Sequence, residues 1–275
     1  QAALGMGFKN LQSSLRGSYH RANNDFPFQN TALIGAPMQR QENNTAENFD
    51  VQQYNQLKIK EKNTIETALW IQRVFREIPP AMTEASGMSW QNDRSSRAVA
   101  TWTQTPNQHI RWQNRLAWQD ETIIFSLRGD IDSSRSQTAM LSSECWAAPN
   151  RRLMLRANLN AWYQRAQADG YVDSSSWYQQ KRLAVSLLSE YRWQAFQLSA
   201  QVRQEWAENQ GAPFTWTLGG QWNFNKNLFL HLHLSRNFNL PTFNDRFWRQ
   251  LGQPDLKPES GYSSDVGLHW SRGNW

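Results

Sequence analysis

The sequence predicts an all-β chain, a transmembrane antiparallel β-barrel of which about thirteen strands are legible. Three observations lead there. Apolar residues recur at every second position through most of the 275 residues. The connections between these alternating stretches are short polar turns and long loops by turns. Tryptophan and tyrosine gather where the stretches end, among them Trp102, Trp118, Tyr163, Tyr191, Trp206 and Trp270. A strand with lipid on one side and water on the other needs this period of two, with amphipathic rings at the interfaces. A soluble β-sandwich would have shorter strands and no such asymmetry of connections. No stretch approaches about 18 consecutive apolar residues, so a membrane-spanning helix is excluded.

Taken in order, a first strand over about 1–8 turns at Lys9-Asn10 into a second, with Leu11, Leu15 and Tyr19 on one face and Gln12, Arg16 and His20 on the other. A long polar loop is expected from about 23 to 48, containing Asn24 to Asn30. A strand over about 50–59 turns at Glu61 to Asn63 into one carrying Ile65, Thr67, Leu69 and Ile71, which Pro79-Pro80 ends. A loop over about 79–92 follows, since proline cannot extend a strand ladder. The next pair, about 94–104 and 109–119, joins at Thr105 to Asn107, with Ile110, Trp112, Leu116 and Trp118 sharing a face. The Asp-, Ser- and Arg-rich segment 120–135 reads as a loop. Strands near 137–147 and 152–164 join at Pro149-Asn150, and Leu153, Leu155, Ala157, Leu159 and Ala161 alternate against Arg156, Asn158 and Asn160.

After a loop over 166–176, strands near 178–191 and 195–206 carry Leu183, Val185 and Leu187, then Phe196, Leu198, Ala200 and Val202. A shorter loop covers 208–212. Phe214 to Phe224 alternate again, Asn225 to Asn227 turn tightly, and Leu228, Leu230, Leu232 and Leu234 form one face of the following strand. On this period those leucines face lipid, while Phe229, His231 and His233 face the lumen. Two Pro- and Asp-rich turns, Pro241 to Asp245 and Gly252 to Glu259, mark one long structured loop before a last strand with Val266, Leu268 and Trp270.

Composition narrows the function. The formal net charge is +6, but Arg16, Arg97, Arg111, Arg156 and Arg203 lie singly along the chain rather than in a patch, which speaks against nucleic acid. Cys145 is alone, so neither a disulfide framework nor a thiolate metal site is available. The first residues, Gln1 to Gly5, have no basic region followed by an apolar core, so the chain is expected to begin inside a longer protein.

Arg236, Phe238, Pro241, Thr242, Asn244, Asp245, Trp248, Gly252, the run Pro254 to Glu259, Ser260, Asp265, Gly267, Leu268 and Trp270 stand at spacings that resemble a barrel segment of the TonB-dependent outer-membrane receptors. Asn24 to Asn30 is similar to a loop of Bacteroidetes-type receptors. The resemblance implies a barrel of about 22 strands closed around a plug. It identifies residues 1–275 as the central part of such a barrel, without the plug domain and the C-terminal strands, Gly273-Asn274-Trp275 resembling the start of another turn. It further implies a cell outer-membrane location, energy coupling through TonB, and uptake of a ferric siderophore or cobalamin-like compound. The alternatives are a passive porin-like or adhesive barrel and, third, an enzyme barrel, for which no Ser/His or Asp/His set is found.

The residues Pro241, Asn244, Asp245, Pro254, Asp255, Leu256, Pro258 and Glu259 are read as shaping this loop rather than binding ligand. In such receptors ligands touch the plug and the long outer loops, here 23–48, 79–92, 120–135 and 166–176, whose Phe26, Phe28, Trp90, Arg128 and Tyr171 suit a siderophore or corrin. No single ligand-contacting residue is assigned. His231 and His233 are close enough along a strand to share a metal ion, but no third ligand is placed and they read as polar lumen residues. Asp255 and Glu259 read as loop hydrogen-bonders rather than an acid–base pair. No catalytic residue, metal site or cofactor is expected.

Overall fold

The computed structural model describes residues 1–84, 88–208 and 210–271. Thirteen strands form one antiparallel sheet in which neighbours in sequence are neighbours in space. They are β1 (Ala2–Gly7), β2 (Leu11–Ala22), β5 (Ala46–Ile59), β6 (Asn63–Ile78), β7 (Ser89–Asn107), β8 (Ile110–Leu127), β9 (Asp130–Asn150), β10 (Leu153–Ala168), β11 (Tyr178–Trp193), β12 (Phe196–Ala207), β13 (Thr215–Asn225), β14 (Leu228–Asn239) and β15 (Glu259–Trp270). Two short strands, β3 (Pro27–Gln29) and β4 (Met38–Arg40), pair only with each other. The one helix among the described residues is α1 (Phe243–Phe247). Within the described residues β1 and β15 each have a single neighbour, so the sheet is an open arc.

Burial runs opposite to that of a soluble protein. On β11 the apolar Leu183, Val185 and Leu187 are 41%, 44% and 50% exposed, while Ala184 and Ser186 between them are 0% and 5%. Among the described residues no second layer covers this sheet, so one face is buried only where it is concave and its side chains converge. Asp50, Thr101, Gln180, Glu205 and Ser235 lie on that inner face and are buried. The convex face is apolar and open, which is stable only against hydrocarbon.

Register carries the same division across strands. Leu230, Leu232 and Leu234 oppose Leu268, Val266 and Ser264 outside, while His231 and His233 oppose Gly267 and Asp265 inside. Gly267 leaves room for the His231 ring, which lies over it: a Cβ there would fall 2.1 Å from the ring as it stands.

Several boundaries differ from the sequence expectation. The segment 120–135 is no loop. β8 and β9 run to Leu127 and from Asp130 with one unbroken ladder, and Arg128-Gly129 turn at φ 54° and 101°, the two positive values of a tight hairpin turn. Above the membrane both faces of a strand are wet, so the hydrophobic period fades although backbone pairing continues. For the same reason β9, at 21 residues, far exceeds the membrane crossing of about ten, β5 starts at Ala46, and β7 starts at Ser89. The loop 23–48 carries its own hairpin, β3–β4. Ala85 to Gly87 of the expected 79–92 loop, Asn209 of 208–212 and the Gly273 to Trp275 turn lie outside the described residues.

Candidate functional site

The segment between β14 and β15 does not stand up from the sheet. It folds inward and grips the β10–β11 loop. Thr242 starts α1 with a reciprocal cap: its hydroxyl accepts from the Asp245 N–H, and its own N–H donates to Asp245 Oδ2 at 2.8 Å. Satisfying otherwise unpaired helix-end groups in this way fixes how the chain enters the turn. The Thr242 hydroxyl also donates to Asp245 Oδ2 at 2.8 Å, and the two bonds onto the carboxylate, from the Thr242 N–H first and its hydroxyl second, hold the Asp245 carboxyl below its ordinary pKa. The turn then closes on itself. Gly252 N–H donates to Trp248 O at 2.8 Å, Gln253 N–H to Asp245 O at 2.9 Å, and Arg246 Nε to Pro254 O at 3.2 Å. Gly252 has no room for a side chain, since a Cβ would sit 2.5 Å from Trp248 N.

The grip is aromatic and polar together. Tyr171, 3% exposed, donates its hydroxyl to Asn244 Oδ1 at 2.8 Å and packs edge-on against Trp248 and Tyr178. Tyr178 in turn stacks on Phe247 at 4.1 Å between centroids. Edge and offset contacts of this kind add to the area that the rings bury. The backbones join as well: Val172 N–H donates to Phe247 O at 3.0 Å and Arg249 N–H to Gly170 O at 2.9 Å. Arg249 Nη2 donates to Asp169 O, and Asp169 Oδ2 accepts from Ser133 N–H on β9 at 2.6 Å. Ala166 and Ala168, buried on the inner face of β10, complete this small core. Burial pushes the Tyr171 phenol up, with Tyr178 adding to it. In the gripped loop Asp173 accepts from Ser176 Oγ and from Ser175 Oγ and N–H, which hold its carboxyl low.

Of the loop residues singled out from sequence, Asn244 and Asp245 supply the side-chain bonds and Pro254 a carbonyl. Asp255 stands as the charge partner that opposes the burial of Arg246. Pro241 is buried, Leu256 is exposed, and Glu259 opens β15 opposite Asn239. Trp248, part of the spacing that carries the resemblance, completes the brace together with Gly170 and Arg249, which were not singled out. Gly170 follows from no local signal: a Cβ there would lie 2.5 Å from Trp248 Cη2, a contact across 78 residues of chain.

Two other expectations shift. Tyr171 is consumed by the brace and presents no free face to a ligand. Trp90 lies in β7 beside Phe75, on the outward side of the ladder, and not in a loop.

Beneath the brace, the inner wall repeats one arrangement. Trp162 lies between Arg182 and Arg203, with guanidinium carbons 5.1 and 5.8 Å from the ring centroid, and both arginines bind Glu205, 2% exposed, at 2.5 and 2.6 Å. Trp146 lies between Arg111 and Arg156 in the same way. Pairing of this kind is what makes a charge tolerable in a buried position. A cavity under the brace is lined by Arg182, Arg203, Glu205, Thr215, Asn237 and Asn239. His231 Nε2 meets Asp265 Oδ1 at 2.9 Å on the inner face. At the other side of the mouth, Asn30 Nδ2 donates to Met82 O at 2.8 Å and Asn43 Nδ2 to Ile78 O and Ser89 O, so the β3–β4 hairpin is tied to the β6–β7 connection.

Comparison with known proteins agrees with this architecture. The vitamin B12 transporter BtuB of Photobacterium profundum is 34% identical over 85 residues, 31% of this chain and 14% of that protein. The siderophore receptor PirA from Pseudomonas aeruginosa superposes with a TM-score of 0.79 at 10% identity, covering 99% of this chain and 49% of that one. A ferric enterobactin receptor (PfeA) mutant from the same organism reaches 0.73 at 10% identity, covering 97% and 47%. The chain therefore spans about half the length of these solved relatives and a smaller share of the B12 transporter. The family model described as TonB dependent receptor-like, beta-barrel, matches residues 3–275. This chain, an outer-membrane β-sheet of thirteen paired strands, belongs to the TonB dependent receptor-like β-barrel family.

Proposed function

We propose that the full-length protein is a receptor for TonB-coupled active uptake of a scarce, large nutrient, a ferric siderophore or a cobalamin-like compound. In this reading residues 1–275 are the central part of a barrel of about 22 strands. A plug domain precedes them, further strands follow, and TonB pulls on the plug. The reading needs no catalytic residue, resident metal or cofactor. Pro241, Asn244, Asp245, Pro254, Asp255, Leu256, Pro258 and Glu259 act as the frame of the mouth, and ligand is met by the loops around it, with Phe26 and Phe28 available on the 23–48 loop.

The observation that carries the proposal is the brace. A passive pore gains from an open lumen, whereas here a loop is folded over the inner face and locked to a loop three strands away through Tyr171, Asn244 and Trp248. That supports a mouth shaped to hold a ligand over a plug. The test is growth of a strain whose uptake depends on the intact protein, under iron or cobalamin limitation, with and without TonB. Loss of uptake without TonB is expected. Uptake that persists would replace the receptor reading by the porin-like one.

A further inference from the structure

On the lipid-facing side, one strand breaks the apolar pattern at its middle. The outward residues of β5 run Phe49, Val51, Gln53, Asn55, Leu57 and Ile59, so two carboxamides stand between apolar pairs. The rungs across β5 enclose them further. Asn55 opposes Ser13 on β2 and Thr67 on β6, while Gln53 opposes Leu15 and Leu69. Leu11 and Leu15 bracket Ser13 on the same face, and Ile65 and Leu69 bracket Thr67. The patch is therefore a polar island in an apolar wall. The outward positions from Leu183 to Leu187 on β11 and from Leu228 to Leu234 on β14 hold only leucine and valine.

Part of the island is satisfied within the sheet. Ser13 Oγ donates to Asn55 Oδ1 at 2.7 Å, and Asn55 Nδ2 donates to Thr67 Oγ1 at 3.1 Å. These bonds tie the Asn55 amide to both neighbouring strands and use one of its two N–H donors. Gln53 is exposed, and among the described residues its amide has no partner, the bonds of this patch running through Asn55 instead. In hydrocarbon no water completes such a group, and an unpaired amide is costly. The wall therefore calls for a membrane-buried partner that offers both donors and acceptors.

We infer that this patch joins two copies of the barrel side by side, with Gln53 facing Gln53 across a two-fold axis along the membrane normal. Copies inserted in the same sense can be related by such an axis, and residues on it meet their own equivalents at one depth. A carboxamide suits that position because it is self-complementary, each N–H donating to the other copy's carbonyl oxygen. A lysine or glutamate would meet its own charge there. The axis also turns β2 of one copy toward β6 and β7 of the other. Ala98 and Ala100 lie outward on β7, opposite Leu69 and Thr67, and small residues of this kind let membrane segments approach closely. The leucines of β2 face that low wall. From β2 to β7 the patch is about 14 Å wide and the apolar band about 25 Å tall, so each copy offers about 350 Å², against about 800 Å² in a standard interface. The pair is therefore reversible, and dilution in lipid separates it.

The test uses the full-length protein in phosphatidylcholine vesicles, with the dimer fraction read by single-molecule photobleaching as the lipid-to-protein ratio rises. The parent should pass from two-step to one-step bleaching on dilution. Gln53→Met keeps the shape and removes the amide, and should weaken association about tenfold, the loss of two or more bonds between membrane-buried side chains. Leu187→Met, on the outward face of β11, should associate as the parent does. In dilute lipid Gln53→Met should unfold no earlier than the parent, because an unpaired amide has left the hydrocarbon. Independently, Gln53→Cys in a Cys145→Ser background should form a disulfide-linked dimer on oxidation in outer membranes, and Leu187→Cys in that background should not. Absence of a parent dimer, unchanged association of Gln53→Met, or its earlier unfolding in dilute lipid would overturn the proposal. So would equal cross-linking by Leu187→Cys, or a Gln53→Cys product with the mass of a different barrel protein, which would assign the patch to another partner.

Discussion

Replacing Leu232 by arginine tests the orientation on which the membrane reading depends. Leu232 lies on the outward face near the middle of the apolar run from Leu228 to Leu234, opposite Val266, and is 44% exposed although apolar. In lipid the guanidinium would sit close to the bilayer midplane, where an arginine on the lipid face of a barrel costs about 2–4 kcal/mol. His231, one residue earlier, points inward over Gly267 with Asp265 within 2.9 Å. An arginine there keeps a carboxylate partner and water, so His231→Arg should cost under about 1 kcal/mol, as for an exposed pair. Both variants of the full-length protein would be folded into lipid vesicles and unfolded in denaturant, and the midpoints compared at equal slope. The expected outcome is a large shift for Leu232→Arg and a small one for His231→Arg. Equal shifts, or a larger one at His231, would refute the assignment of faces.

Three further outcomes concern the brace. Gly170→Ala places a methyl 2.5 Å from the Trp248 ring, so the two loops should part at a cost of about 1–3 kcal/mol, seen as faster proteolysis of 169–177 and 240–258; adding Trp248→Ala should recover part of it. Tyr171→Phe keeps the ring and removes the 2.8 Å bond to Asn244, and should raise amide exchange at Val172 and Arg249 by the equivalent of about 0.5–1.5 kcal/mol. Asp245 and Asp173 both have carboxyls lowered by hydrogen bonds made only in the folded loops. Their stabilisation is complete above the ordinary carboxylate value of about 3.9 and is lost as pH falls through the lowered folded values, because a depressed folded pKa means that the unfolded state binds protons first. Amide exchange in these loops should therefore accelerate only in strong acid, and Asp245→Asn should flatten the α1 response; acceleration starting near neutrality would contradict the argument.

The thirteen strands of the sheet, their order and the outward side of β14 were legible in the sequence, because lipid imposes a period of two on a crossing and nearest-neighbour pairing follows from short turns; the β3–β4 hairpin was not. The leucine ladder of β14 needed only that period to be oriented. What escaped the sequence lies where the period has no solvent to report on. β8 and β9 continue through Asp120 to Arg135 as a hairpin, since water on both faces removes the apolar signal but not the backbone ladder. The turn residues from Pro241 to Glu259 were legible as one ordered loop from their proline, glycine and Asx chemistry. The place where that loop docks was not. Tyr171 and Asn244 are 73 residues apart, and Gly170 is small only because Trp248 arrives from the segment between β14 and β15. Such a contact is decided by the curvature of the sheet, which brings the ends of β10 and β14 toward the same mouth, and curvature is a property of all the strands together that no single stretch of sequence carries.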